Sequence, residues 1–240
     1  MKDGEEKTAI IRMFHVYRHY GPKTAVVDIT LDIYKNELLF INGPSGAGKT
    51  TLLKLLYLAE PVSDGQILVN GMNLTRIPRK KVPFLRRCFG IVFQDYKLIP
   101  TKTVYDNVAL VLEAAGQKRR LINKKVKSVL RTVGMEQRID ALPPTLSGGE
   151  QQRVAIARAV CKQPDVLLCD EPTGALDFRT GILVLETLER VNRELGTTTA
   201  VITHNVPIAQ MANTVVELVD GQVSKIEHRD SKIAPSELRW

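Results

Sequence analysis

Three short runs of apolar or β-branched residues, each followed by polar residues, predict the buried strands of a parallel sheet. The runs are Leu38–Ile41, Val166–Cys169 and Thr198–Thr203. Runs of this length without alternation are typical of strands that are covered on both faces. The polar residues that follow them would gather at one edge of the sheet, where open α/β sheets bind ligands.

An alternating pattern predicts a second, antiparallel sheet near the N-terminus. Residues 8–35 are expected to form paired strands because apolar positions recur close to every second residue: Ala25, Val27, Ile29, Leu31 and Ile33. Asp64 and Gly65 form a hairpin signal, with a further strand from Gln66.

Helical periodicity dominates residues 95–162 and predicts a helical lobe inserted between strands. Further helices are expected over Thr50–Ala59, over Glu150–Val160 directly after two glycines, and from Ile182 to a stop at Gly196. Residues 227–240 are polar without periodicity, which favours a mobile tail.

The stretch after the first buried run has the spacing of a phosphate-binding loop. It consists of Gly43, Pro44, Ser45, Gly46, Ala47, Gly48, Lys49, Thr50 and Thr51, and fits G-x-x-x-x-G-K-[ST]. Glycines let the backbone turn its N–H groups onto phosphate oxygens, and the helix that follows adds partial positive charge. Lys49 would reach the β- and γ-phosphates and the Thr50 hydroxyl would ligate Mg²⁺. A glycine-rich turn with a solvated lysine is the alternative, but chance gives the pattern in only roughly one per cent of chains of this length.

Composition places the chain among soluble globular proteins. Its 240 residues are 44% hydrophobic, and no run approaches the ~20 apolar residues of a membrane span. Residues 1–7 lack the apolar core of a signal peptide. The three cysteines have no metal-ligand spacing, which favours a reducing compartment, the cytosol.

The net charge of +8 is concentrated in two clusters. One consists of Arg76, Arg79, Lys80, Lys81, Arg86 and Arg87; the other of Lys118, Arg119, Arg120, Lys124, Lys125 and Lys127. Solvated faces, an anionic membrane surface and nucleic acid all remain open. Few aromatic residues interleave with the charges, which argues against a platform for stacking single-stranded bases.

Four motifs in order make the chain resemble the ATP-binding subunits of ABC transporters. They are the phosphate loop, Leu146 to Arg153 with its Ser-Gly-Gly signature, Val166 to Glu171, and Thr203 with His204. The resemblance covers roughly residues 9–226. It implies an α/β P-loop NTPase of the ABC ATPase fold, with a RecA-like core, an antiparallel β-subdomain and an inserted α-helical subdomain. Residues 8–94 and 163–226 would form the core with its β-subdomain, 95–162 the helical subdomain and 227–240 the tail of a single domain spanning 1–240.

Within that superfamily, residues 82–87, 93–100 and 103–108 are similar to the bacterial cell-division ATPases of the FtsE family. Residues 168–177 equally resemble the ATPases of lipoprotein-releasing and macrolide-type exporters, which belong to the same mechanotransmitting group. The resemblance therefore implies an ATPase that drives a membrane partner. That partner is an FtsX-like subunit docked beside Gln94 to Thr103 or, alternatively, an exporter permease. A soluble ABC ATPase acting on nucleic acid is a third hypothesis, disfavoured by the single cassette and the lack of zinc-type cysteine pairs.

The resemblance also assigns roles to individual residues. Tyr20 matches the aromatic residue that stacks on adenine, with Tyr17 as the alternative, and Asp170 matches the acidic residue that holds Mg²⁺ through water. Glu171 matches the base that polarises the attacking water. Two more residues match sensors of the γ-phosphate: Gln94, which also contacts Mg²⁺, and the switch histidine His204.

Three further residues are implied to act across a dimer interface. Ser147, Gly148 and Gly149 stand where a helix begins, and a simple helix cap is their structural alternative. The resemblance implies that they close on ATP held by a second copy, with Asp177 in a loop that crosses the interface. It thus predicts an ATP-dependent homodimer that is cytoplasmic and peripheral to the membrane through its partner. No specific nucleic acid is expected.

Overall fold

The computed structural model describes residues 8–229 and 231–239, which form two sheets flanked by helices. Residues 1–7, which lack a signal-peptide core, lie outside this part of the chain. The strands are β1 Ala9–Tyr20, β2 Lys23–Tyr34, β3 Leu38–Asn42, β4 Asp64–Val69, β5 Met72–Asn73, β6 Phe89–Val92, β7 Val166–Asp170, β8 Thr198–Ile202, β9 Thr214–Val219 and β10 Gln222–His228. The α-helices are α1 Lys49–Leu56, α2 Val82–Arg87, α3 Val104–Glu113, α4 Arg119–Thr132, α5 Gly148–Val160 and α6 Phe178–Leu195.

The larger sheet has the order β10-β9-β3-β8-β7-β6 and is parallel except at β10. Every residue of β3 and of β8 is buried, as predicted from their unbroken apolar or β-branched runs. The carboxyl ends of β3, β6, β7 and β8 therefore meet at one edge. The predicted α/β fold class, with an antiparallel subdomain and an inserted helical lobe, is confirmed.

The smaller sheet has the order β2-β1-β4-β5, and it departs from the predicted pattern in two places. The pairing of β1 with β2 shifts by one residue between Val16–Ile29 and Arg18–Val26, beside Asp28 with its φ of 51°. This bulge buries Val26 rather than its neighbours, so the simple alternation from Ala25 is wrong there.

The hairpin expected at Asp64 and Gly65 is also wrong. Both residues belong to β4: Asp64 pairs with Tyr17 of β1, and Gly65 lies at the adjacent register shift, where a Cβ would lie 2.0 Å from the carbonyl oxygen of His15. The glycine is needed there for a close approach between strands. The tight turn lies instead at Asn70 and Gly71, whose φ angles of 48° and 73° suit a two-residue hairpin loop.

Helices α3, α4 and α5 form a lobe between β6 and β7, and their apolar faces join one continuous core with α6. α1 ends at Leu56, earlier than the predicted Ala59, with Leu58 in a left-handed conformation. α5 begins at Gly148, so the two glycines form its first turn and do not precede it. The proposed division into subdomains remains a prediction.

The C-terminal segment is not the unstructured tail that its polarity predicts. β10 continues to His228, a 3-10 turn spans Pro235–Glu237, and Leu238 is only 2% exposed. Leu238 packs into the core that contains Leu185 and Leu188 of α6. The few apolar residues of this segment follow no strand or helix period, so sequence patterns could not reveal this anchor. Residues 230 and 240 of the predicted tail lie outside the described residues.

We expect Leu238→Ala to lower the free energy of unfolding by about 2 kcal/mol, because a buried leucine loses its packing and leaves a cavity. The matched control is Ile233→Ala, since Ile233 lies in the same segment but is 37% exposed. Urea denaturation of both variants checks the prediction. Equal stabilities would show that Leu238 is not anchored in solution.

Candidate functional site

The predicted phosphate loop connects β3 to α1. Gly43 and Gly48 have φ angles of 151° and 94°, which side-chain-bearing residues rarely adopt. A Cβ on Gly43 would lie 2.2 Å from the carbonyl oxygen of Leu218, and one on Gly48 would lie 2.3 Å from that of Ala25. The glycines therefore allow the loop to pass against the backbone of two neighbouring strands.

Lys49 lies folded along this loop. Its Nζ donates hydrogen bonds to the carbonyl oxygens of Gly43 at 2.7 Å and Pro44 at 2.9 Å, and the residue is 8% exposed. The ammonium group is thus held at the N-terminal end of α1, where exposed N–H groups and the helix dipole already favour an anion.

Asp170 ends β7, and its carboxylate accepts a hydrogen bond from the Thr50 side chain. Burial raises the pKa of the Asp170 carboxyl, and the negative charge of Glu171 adds to the rise. The Thr50 hydrogen bond and the charges of Lys49 and Lys54 oppose it. The structure therefore brings together two oxygen-bearing groups that can ligate a metal ion, a hydroxyl and a carboxylate, beside the phosphate loop.

Glu171 and His204 form a carboxylate–imidazole pair at the same sheet edge. Glu171 Oε1 lies 2.9 Å from His204 Nδ1, and the exposed fractions of their side chains are 16% and 66%. Glu171 has a left-handed φ of 48°, and its N–H donates to the carbonyl oxygen of Ile202 at 2.9 Å. A strained backbone held by a neighbouring strand fixes where this carboxylate stands.

Lys49, Thr50, Glu171 and His204 line one open cleft of about 690 Å³, whereas Asp170 is not among its lining residues. Of the residues predicted from sequence, the cleft is lined by Tyr20, Ser45, Gly46, Gly48, Lys49, Thr50, Thr51, Glu171 and His204. Lys23 and Ala25 also line it, and sequence reasoning missed both. Lys23 follows the turn that joins β1 to β2. In the sequence it is a single exposed lysine, and only the folded structure shows that this turn lies beside the phosphate loop.

Tyr20 lies at the rim of the cleft, and the residue is 39% exposed. The Arg18 guanidinium lies over the ring, 4.7 Å from the centroid, and the Tyr20 hydroxyl donates a hydrogen bond to Glu60. Tyr17, the alternative, stacks on His19 and does not line the cleft. The ring of Tyr20 is thus fixed in place at the rim.

Several predicted residues lie outside the cleft lining. Gly43 and Pro44 face a separate cavity of about 390 Å³ on the other side of His204, and Ala47 is buried. Gln94 follows β6; a Cβ on Gly174 would lie 3.4 Å from both Gln94 Nε2 and Glu171 Cβ, so Gln94 and Glu171 flank that glycine.

Ser147, Gly148 and Gly149 begin α5 on the helical lobe, away from the lining of the cleft. Ser147 Oγ accepts from the Glu150 N–H at 3.3 Å, while the Glu150 carboxylate accepts from the Ser147 N–H at 2.8 Å, which completes a capping box. Asp177 caps α6 by accepting a hydrogen bond from the N–H of Thr180. Apart from the Glu150 N–H, which donates to Ser147 Oγ, the first N–H groups of a helix such as α5 lack an acceptor within the helix and are of the kind that suits an anion.

A phosphate-binding loop on a parallel sheet, with a carboxylate–imidazole pair at the same edge, defines the class of P-loop nucleotide hydrolases. The chain belongs to the ABC transporter family, whose sequence model matches residues 26–174, and it is an ATPase of the ABC type.

Curated relatives cover almost the whole chain. It is 44% identical over 223 residues to the cell division ATP-binding protein FtsE of Bacillus subtilis strain 168, which covers 92% of this chain and 97% of the relative. It is 45% identical over 223 residues to the protein of the same name from Mycobacterium tuberculosis strain H37Rv, with coverage of 92% and 96%.

Solved structures place the same fold in a dimer. The dimeric post-hydrolysis state of the ATP-binding cassette MJ0796, bound to ADP and Pi, superposes with a TM-score of 0.80 at 31% identity. It covers 91% of this chain and 98% of that one. Within residues 8–229 and 231–239, no helix is both long and apolar enough to cross a membrane.

Proposed function

We propose that the protein is the ATP-hydrolysing subunit of an FtsEX-like ABC complex, which drives a membrane partner in bacterial cell division. The observation that carries the hydrolytic part is the pairing of Glu171 with His204, 2.9 Å apart in the cleft that also holds Lys49. The cell-division part rests on 43–45% identity to FtsE proteins over 92% of the chain.

In this proposal the cleft residues and the neighbouring Gln94 divide the work of binding and hydrolysis. Tyr20 stacks on adenine, the loop N–H groups and Lys49 hold the phosphates, and Glu171 accepts the proton of the water that attacks the γ-phosphorus. His204 and Gln94 contact the γ-phosphate side of the nucleotide. Catalysis is therefore positioning and charge neutralisation, as phosphoryl transfer requires.

The residues present suit a Mg²⁺ ion. The Thr50 side chain lies near enough to the Asp170 carboxyl to lower its pKa, and Mg²⁺ prefers a few oxygen ligands while it keeps several waters. Asp170 would act through water, and Gln94 would add its amide oxygen. When bound, Mg²⁺ neutralises the charge that develops on the β- and γ-phosphates.

The Ser-Gly-Gly terminus of α5 is proposed to bind ATP of a second copy. It supplies N–H donors for an anion, yet Ser147, Gly148 and Gly149 do not line the cleft of their own chain. A relative with the same fold is a dimer with ADP and Pi. Two chains would then sandwich two ATP molecules, with Asp177 at the interface.

The membrane partner is proposed to be an FtsX-like integral subunit that docks beside Gln94 to Thr103. The protein would be cytoplasmic and peripheral to the inner face of the membrane through this subunit. An exporter permease is the alternative partner, and no specific nucleic acid is expected.

A Glu171→Gln variant loaded with Mg-ATP tests the partner, because the trapped ATP dimer is expected to hold its membrane subunit. The variant is captured from detergent-solubilised native membranes, and the proteins that accompany it are identified by mass spectrometry. Wild type with ADP is the matched control. An FtsX-like subunit supports the proposal, whereas a permease with a large periplasmic domain, or no membrane protein beside an ATP-bound dimer, contradicts it.

A further inference from the structure

The segment that joins β6 to α3 contains a turn of unusual backbone geometry. Tyr96 and Lys97 are consecutive non-glycine residues with left-handed φ angles of 56° and 50°. Single residues of this kind are uncommon outside glycine, and they persist only where surrounding groups hold them. We call Tyr96 and Lys97 the left-handed turn.

Arg158 of α5 holds this turn from the helical lobe. Its guanidinium donates to the carbonyl oxygen of Lys97 at 2.6 Å and to that of Tyr96 at 2.8 Å. Burial lowers the pKa of Arg158, and no carboxylate pairs with it in the described part of the chain. A half-buried cation that donates to two consecutive carbonyls fixes the conformation of that backbone.

The turn lies between the hydrolytic edge and the start of α5. Gln94, two residues before Tyr96, flanks Gly174 together with Glu171. On the other side, a Cβ on Gly148 would lie 2.8 Å from the hydroxyl of Tyr96, so the tyrosine ring reaches the first turn of α5. The segment from Gln94 to Lys97 therefore lies beside Glu171 at one end and contacts the first turn of α5 at the other. Arg158 lies on that same helix, which begins with the Ser-Gly-Gly terminus.

We propose that Arg158 is a positioning residue that holds Gln94 in its working place through the left-handed turn. The inference rests on the proposed role of Gln94 at the γ-phosphate. Arg158 does not line the cleft and touches no group that binds the nucleotide. It acts only through the left-handed turn, which fixes where Gln94 stands relative to Glu171.

Arg158→Gln removes the two guanidinium donors, and we expect kcat for ATP hydrolysis to fall about 10- to 100-fold. This range is what the loss of charge-assisted hydrogen bonds corresponds to when it is converted to a rate. KM for ATP and nucleotide affinity should stay within about twofold, because the cleft residues are unchanged. Arg158→Lys keeps the charge but not the forked geometry, and should give an intermediate kcat. It also replaces Arg158→Gln if that variant does not fold.

A double-mutant cycle with Gln94→Ala separates positioning from general stability. If Arg158 acts through Gln94, the double variant Arg158→Gln/Gln94→Ala should be no slower than Gln94→Ala alone. The control is Arg190→Gln, which removes another guanidinium that donates to a backbone carbonyl, that of Thr132 at 3.0 Å. Its kcat should match that of the wild type.

The outcomes distinguish this inference from the proposed function. Additive losses in the double variant, an unchanged kcat in Arg158→Gln, or a large rise in KM would overturn the positioning role while Gln94→Ala remained slow. If Gln94→Ala itself hydrolyses ATP at the wild-type rate, the role proposed for Gln94 fails, and with it the route through which Arg158 would act.

Discussion

A Glu171→Gln variant is expected to hydrolyse ATP about 10²- to 10⁴-fold more slowly than the wild type, because an amide cannot accept the proton of the attacking water. Binding should be retained. Glutamine has the shape of glutamate, so it can keep the left-handed backbone and a hydrogen bond to His204, whose Nδ1 lies 2.9 Å from Oε1.

Single-turnover hydrolysis and equilibrium binding of ATP, measured on the same preparation, check this prediction. Glu186→Gln is the matched control, since it removes the same charge from the middle of α6 without changing the cleft. A Glu171→Gln enzyme of near wild-type turnover would show that another group activates the water.

Lys49→Ala is expected to weaken ATP binding about 10- to 100-fold, the value of the charge-assisted hydrogen bonds that the ammonium group would make to the phosphates. The residue is 8% exposed and its ammonium group lies on the loop. The first turn of α1 contains no second lysine or arginine that could contact the phosphates in its place. The loss should appear in affinity before it appears in kcat at saturating ATP.

Titration of a fluorescent nucleotide measures this effect. Lys54→Ala serves as control: Lys54 lies in α1 as well, but pairs with Glu60 at 3.4 Å and does not line the cleft. Equal affinities for wild type and Lys49→Ala would assign phosphate binding to the loop N–H groups alone.

Sequence patterns predicted the strands whose ends hold the candidate site residues. They did not predict the bulge and the close strand contact in the smaller sheet. Strands β3, β7 and β8 are buried runs with polar residues at their ends, so their shared edge follows from the order of residues alone. The bulge at Asp28 does not, because an extra residue in a strand depends on the partner strand opposite it. For the same reason Gly65 resembled a turn residue, whereas it is needed for the approach of β1.

The site shows the same division between local and long-range information. Lys49 and Thr50 are defined by local spacing, and the structure places both in the cleft. Lys23 and Arg158 are defined by contacts across the fold: one reaches the cleft from a strand tip, and the other holds a turn 61 and 62 residues away in sequence. Arg158 is a charged residue among buried helical positions, a weak signal that spacing alone does not interpret.

The close packing of Gly43 and Gly48 has a consequence for how such a protein could decay over evolutionary time. A side chain at either position would strike the carbonyl oxygen of Leu218 or Ala25, which belong to the protein's own sheets and not to a ligand. A descendant that no longer hydrolysed ATP would therefore still have to keep both glycines in order to fold. The two sheets place no such steric constraint on Lys49. In a descendant that has lost ATP hydrolysis we therefore expect Lys49 to be substituted while Gly43 and Gly48 are retained.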